Sequence, residues 1–172
     1  ETCPEIWLLG SSDYSSTLAA HLGVRFAFAH FINSVGGDVV SRHYRSTFSP
    51  STVEAQPTSM VCIFVICAES NEQAEYLAKS IDHRRVMMAT GQESAFMPSE
   101  EAANWQYSEL EKQIIQRERH RIVLGTPASV KSQLSEIKNN FEADELMILT
   151  ITGDYPTRVK SYELIADEFE LH

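Results

Sequence analysis

Clustered positive charge is what this sequence most lacks. Lys and Arg number 14 against 24 Asp and Glu, a formal net charge of −10. Nucleic-acid backbones are held by grouped Lys and Arg, so this balance argues against such a partner. The densest basic stretch, QRERHR at residues 116–121, mixes its signs and reads as a solvated helix face. Cysteine is scarce too: Cys3, Cys62 and Cys67 are an odd number without a C-x-x-C pair, which speaks against a disulfide framework and a zinc site. Cys62 and Cys67, five apart on an apparent strand, point to opposite faces and read as buried free thiols. The six histidines are scattered, with no H-E-x-x-H, so spacing supports no metal set and no Ser/His/Asp arrangement. No run approaches the ~18 to 20 apolar residues of a membrane span, and no signal-peptide pattern is present. The expectation is a soluble, cytoplasmic protein with neither a nucleic-acid nor a membrane partner.

What is present suits a globular fold. The chain has 172 residues, 43% of them hydrophobic, enough for one domain with a real core, and residues 1–172 read as a single unit. It opens at Glu1 without a methionine, and an apolar strand pattern begins within about five residues, as if the fold were entered partway. Four segments read as strands: EIWLLG, VRFAFAHF, MVCIFVICA and DELMILTIT. Their apolar runs are continuous rather than alternating, the mark of strands buried on both faces in a parallel sheet.

Helical patterns follow three of these strands. Residues 14–22 form the first, stopped by Gly23 in a left-handed cap. Ser70 and Gln73 are spaced as a capping box ahead of a stripe of Ala74, Leu77, Ala78 and Ile81. Asp154 and Pro156 start a last helix with Val159, Tyr162, Ile165, Ala166 and Phe169 on one face. A further helix opens at Thr126 and Pro127 and repeats apolar residues at Val130, Leu134, Ile137 and Phe141. RIVLG, just before it, is either a short extended piece or the end of what precedes. A short helix is expected near residues 39–48. Residues 90–113, polar and broken by Pro98, form either a lid or a plain surface loop. The order β-α-β-(α)-β-α-(α)-β-α implies parallel strands with right-handed crossovers: a small open sheet, or half of an eight-stranded barrel. The open face of such a half would carry Trp7, Phe26, Phe28, Ile63, Val65, Met147 and Leu149, so self-association or pairing with a missing half is expected.

One stretch asks for a ligand. WLLGSSDYSSTLAAHLG runs a strand into Gly10 and then places Ser11, Ser12, Ser15, Ser16 and Thr17 within seven positions. A helix N-terminus binds phosphate through free N–H groups and the positive end of its dipole, with no cation required. Gly10 allows the tight turn, Ser11 and Ser12 stand at the mouth, Ser15 follows one turn later, and Tyr14 can lie beside a ring or a ribityl chain. The plainer alternative is that Ser12 or Asp13 caps the helix and the other hydroxyls meet water. There is no GxGxxG and no Walker lysine. His30, at the carboxyl end of the second strand, is either a functional group at the same mouth or a satisfied polar residue at the rim.

Taken together, IWLLGSSDYSSTLAAHLGVRFAFAHF, IVLGTPASVKSQL and ADELMILTITGDYPTRVKSYELIADEF resemble the carboxyl-terminal half of the bacterial luciferase-like, flavin-dependent monooxygenases. The resemblance covers nearly the whole chain. It implies an α/β fold, the second half of a (β/α)₈ barrel with four parallel strands, completed by a missing half or by oligomerisation. It implies FMN as cofactor, reduced by a flavin reductase, with a deazaflavin in some branches, and oxygen and a small organic molecule as substrates. By position, Ser11, Ser12 and Ser15 would be ligands of the flavin phosphate, Gly10 and Tyr14 would belong to the same cofactor-binding turn, and His30 would fall near the flavin ring. The family's first four strands, with most contacts to the ring, have no counterpart in this chain, so no catalytic residue is assigned. The alternative reading is a non-catalytic half-barrel, a module that binds flavin or phosphate.

Overall fold

The structure, a computed structural model, describes residues 4–92 and 95–171; Cys3 lies outside them. The described elements are β1 (Trp7–Gly10), α1 (Asp13–Leu22), β2 (Arg25–Ala29), α2 (Gly37–Thr47), β3 (Ser59–Cys67), α3 (Asn71–Ala89), α4 (Ser99–Asn104), α5 (Glu109–Glu118), β4 (Ile122–Gly125), α6 (Pro127–Phe141), β5 (Glu145–Leu149) and α7 (Tyr155–Glu168), with a 3₁₀ turn at Arg119–Arg121. They form two compact units, Glu1–Ile63 with Leu134–Ile148, and Phe64–Gln133 with Leu149–His172. Strand β3 and helix α6 each run from one unit into the other.

In the first unit β1 pairs in parallel with β2, Leu8 opposite Phe26 and Gly10 opposite Phe28. Strand β2 continues in parallel onto the start of β3, Phe26 opposite Ser59 and Ala29 opposite Cys62, and β5 also pairs with β3. Phe26 packs on the Tyr44 ring of α2 at 5.4 Å, and Phe28 on Phe141 of α6 at 5.3 Å. Both phenylalanines are buried, which contributes roughly 1.5–3 kcal/mol for each. Asp144 accepts from the Ser59 N–H at 2.8 Å and from Arg45 Nη1 at 2.7 Å, tying the start of β3 to α2. Burial pushes the Asp144 carboxyl up, but the Arg45 and Ser59 bonds outweigh it and hold it below its usual value. Helix α1 ends at Gly23 with φ +62°, the left-handed stop expected there.

In the second unit the end of β3 pairs in parallel with β4, Phe64 opposite Ile122 and Cys67 opposite Gly125. The α3 stripe of Ala74, Leu77, Ala78 and Ile81 closes over Ile66 and Ile122. Ser70 Oγ accepts from the Gln73 N–H at 3.2 Å, as the capping box requires. The Gln73 side chain, however, accepts from Glu69 rather than from Ser70. Asp154 caps α7 by accepting from the Thr157 N–H at 2.9 Å. Cys62 and Cys67 are buried free thiols, and burial pushes the Cys67 thiol up to about 11.

Four expectations are corrected. Residues 122–125 are a fifth strand; at four residues it is too short to show a pattern, and pairing with β3 makes it one. Residues 90–113 are not simply irregular: Pro98 is the N-cap of α4, and Ser108 with Glu111 forms a capping box at the head of α5. QRERHR is a solvated face only in part: Gln116, Arg117 and His120 are exposed, but the other three are not. Glu118 is 7% exposed and pairs with Arg121 at 2.7 Å, while Arg119 reaches Asp82 at 2.7 Å. Finally, the open apolar face does not include Phe26, Phe28, Ile63 or Val65, all of which are buried; of the residues expected there, Met147 is 48% exposed. In the first unit Phe26 and Phe28 point toward the helices, because their parity on β2 sets them against Tyr44 and Phe141. No described helix is long and apolar enough to cross a membrane.

Candidate functional site

Strand β1 delivers the chain to Gly10 at the carboxyl end of a parallel pair, where ligands of α/β folds gather. The glycine is required by contact: a Cβ there would overlap Cβ and Oγ of Ser15. With that space clear, Ser15 folds back over the turn. Ser12 is the N-cap of α1, with φ −137° and ψ 161°, and forms a reciprocal capping box with Ser15. The Ser12 N–H donates to Ser15 Oγ at 3.2 Å, the Ser15 N–H donates to Ser12 Oγ at 3.4 Å, and the Ser15 hydroxyl donates to the Ser12 carbonyl at 2.7 Å. Buried Ser16 donates its hydroxyl to the Asp13 carbonyl at 2.9 Å, and Thr17 Oγ1 lies 3.4 Å from His43 Nε2.

Four of the five hydroxyls thus have partners within the fold, and the crowding that suggested a ligand is partly capping. What remains defines the site more narrowly. The Ser11 hydroxyl makes no hydrogen bond among the described residues. Because the Ser15 proton is directed at the Ser12 carbonyl, the Ser12 hydroxyl is the donor in its 3.3 Å contact with Ser15 Oγ, and its proton too is engaged within the turn. The N–H groups of Asp13 and Tyr14, at the first two helical positions, have no intrahelical acceptor. One hydroxyl donor, two backbone donors and the positive end of the α1 dipole therefore lie on one turn, a set suited to an anion such as a phosphate. The Asp13 carboxylate sits on the same turn and opposes a second anion, so this turn holds a ligand by hydrogen bonds rather than by net charge. Tyr14 is 77% exposed.

His30 lies one residue beyond β2. Its N–H donates to the Phe28 carbonyl at 3.0 Å, its side chain is buried, and its ring meets Phe141 edge-on at 6.0 Å. The structure thus brings Gly10, Ser12 and Ser15 into contact, sets Ser11 and Tyr14 beside them, and packs His30 at the end of the neighbouring strand. The backbone donors of Asp13 and Tyr14 are the free N–H groups expected of a helix start, and the N-cap at Ser12 fixes which residues carry them. The S-x-x-S spacing of Ser12 and Ser15, shared with capping boxes, was the available signal for their mutual bonding.

No family model matches the chain. An uncharacterised protein of Bacillus subtilis, YceB, is 38% identical over 98% of this chain and 51% of its own length. A luciferase-like monooxygenase of Escherichia coli K12 is 36% identical over 94% of this chain and 48% of its own. The crystal structure of apo-MsnO8 superposes with a TM-score of 0.88 at 29% identity, covering 98% of this chain and 52% of that one. The chain belongs to the luciferase-like monooxygenase family. It spans about half the length of the curated relatives it matches. Its parallel strands and helices accordingly correspond to half of a luciferase-like barrel, and the turn between β1 and α1 lies at a carboxyl end of those strands, the side on which barrel enzymes place their sites.

Proposed function

We propose that this chain supplies the phosphate-binding half of an FMN-dependent, luciferase-like monooxygenase. The observation that carries the reading is the set of unengaged donors at the head of α1: the Ser11 hydroxyl and the Asp13 and Tyr14 N–H groups. Bound reduced flavin would supply the electrons that activate oxygen for transfer to a small organic substrate, a flavin reductase being its source. The chain's own residues would fix the phosphate. Gly10 keeps the turn open, the Ser12–Ser15 box holds the first turn of α1 rigid so that its N–H groups point outward, and exposed Tyr14 flanks the ribityl chain. His30 supports the rim of β2 against Phe141. A deazaflavin carries a phosphate as well, and the same donors serve it.

The rest of the barrel must come from elsewhere. Strand β1 pairs with β2 on one side, its Leu9 is 56% exposed, and an amino-terminal half-barrel or a second copy of this chain would pair with its other edge. A second reading is a non-catalytic flavin- or phosphate-binding half-barrel, which would use the same donors at the head of α1. The buried free thiols fit a cytoplasmic setting. Titrating the protein into FMN and into riboflavin, with fluorescence quenching as readout, tests the proposal. FMN should bind more tightly than riboflavin, by the contribution of its phosphate. Equal affinities would overturn the reading. Oxygen consumption with reduced FMN separates the enzyme from the non-catalytic module.

A further inference from the structure

Residues 99–108 lie against α3 through buried polar groups that play no part in the phosphate turn. Ala102 is wholly buried. Ser99 Oγ lies 3.0 Å from Ser80 Oγ, both buried. The Trp105 ring meets His83 edge-on at 4.8 Å and 71°. His83 itself is 1% exposed, and neither of its ring nitrogens has a hydrogen-bond partner. The Tyr107 hydroxyl beside this group is likewise buried without a partner, and burial, with the Asp82 and Glu111 charges, pushes its phenol up to about 12. A neutral imidazole tolerates such surroundings. An imidazolium would bring a second buried donor and a full charge with nothing to accept them.

The charges around His83 do not rescue the protonated form. On α5, Glu111 favours it, but burial prevails and holds the imidazole below its ordinary range. Glu111 is also engaged by the Ser108 N–H and hydroxyl, both at 2.8 Å. On α3, Asp82 is paired with Arg119 at 2.7 Å, and Arg85 donates to the Glu118 carbonyl at 2.7 Å. Helix α4 contributes Glu100 and Glu101, both exposed. Strand β4 has no ionisable side chain, and Tyr107 stays neutral.

We propose that His83 is a proton-operated latch: neutral, it holds residues 99–108 on α3, and protonated, it releases them. The sign follows from the burial. A histidine freed to solvent titrates near 6.5, and the docked one titrates lower. Docking is therefore at full strength above about pH 6.5, and below it weakens up to tenfold per pH unit until the docked imidazole itself protonates. Trp105, 42% exposed, reports the state of the latch.

The test follows Trp105 emission between pH 8 and pH 5 in a Trp7→Phe background, with far-UV circular dichroism recorded in parallel. A reversible emission change below about pH 6.5, with helical signal retained, is expected. His83→Phe should abolish that change. Glu111→Gln removes an anion that favours the docked imidazolium while leaving a side chain able to cap at Ser108; the docked imidazole then titrates lower still, docking weakens over a wider pH range, and the midpoint should stay or rise. The latch is overturned by emission that stays flat until the helices melt. An unaltered transition in His83→Phe, or a lowered midpoint in Glu111→Gln, overturns it equally.

Discussion

Ser11→Ala separates ligand binding from helix capping. Ser12 and Ser15 are bonded to each other, so replacing either confounds a lost ligand contact with a weakened cap. Ser11 has no hydrogen-bond partner among the described residues and is half-buried at the turn. Its truncation should change folding stability by no more than about 0.5 kcal/mol. Toward a phosphate, however, the hydroxyl makes a charge-assisted hydrogen bond, worth about 1.5–3 kcal/mol. At about 1.4 kcal/mol per decade, this is a roughly 10- to 150-fold rise in Kd for FMN. Riboflavin has the same ring and ribityl chain without the phosphate, and its affinity should not change. Paired fluorescence titrations of wild type and Ser11→Ala with both flavins give the four constants required. An FMN constant unchanged by the substitution, or an equal loss for FMN and riboflavin, would refute the assignment of Ser11 to the phosphate.

Three further outcomes are expected. Ser12→Ala with Ser15→Ala should lower unfolding stability in urea by about 1–2 kcal/mol through loss of the cap, besides weakening FMN; unchanged stability would mean that the capping box contributes nothing. Gly10→Ala should cost about 1–3 kcal/mol through overlap with Ser15, and Ser15→Gly should relieve much of it, so a strictly additive double-mutant cycle would contradict the close approach. Asp144, whose carboxyl is held below its ordinary value, supports the fold above about pH 4 and loses that support as pH falls through its native pKa. Its side chain is 42% exposed and screened by solvent, so Asp144→Asn should cost less than about 1 kcal/mol at pH 7, with the gap from wild type narrowing in acid; a gap that widens would reverse the sign argued here.

Much of this protein follows from local pattern alone. The continuous apolar runs around Phe26 and Val61 become parallel strands because a segment buried on both faces can take no polar alternation. Gly23, Ser70, Pro127 and Asp154 mark helix ends because each supplies a cap or a backbone geometry that depends only on its immediate neighbours. The strand–turn–helix at Gly10 was legible for the same reason, as was the family resemblance resting on it. What tertiary structure decided are matters of partnership. Ile122–Gly125 is a strand only because β3 offers it an edge. The hydroxyls of Ser12 and Ser15 had to be assigned either to a ligand or to each other, and only the folded turn makes that choice. Phe26 and Phe28 turn toward α2 and α6 because the register of β2 on β3 fixes their face, and composition says nothing about register. Glu118 sits in a segment that reads as charged surface, yet it is buried, as are Asp82 and His83 on α3, over which the turn after α5 brings Arg119 and the end of α4 brings Trp105. Local sequence sets which conformations are affordable; burial and pairing between distant segments settle which polar groups face water and which must find partners inside.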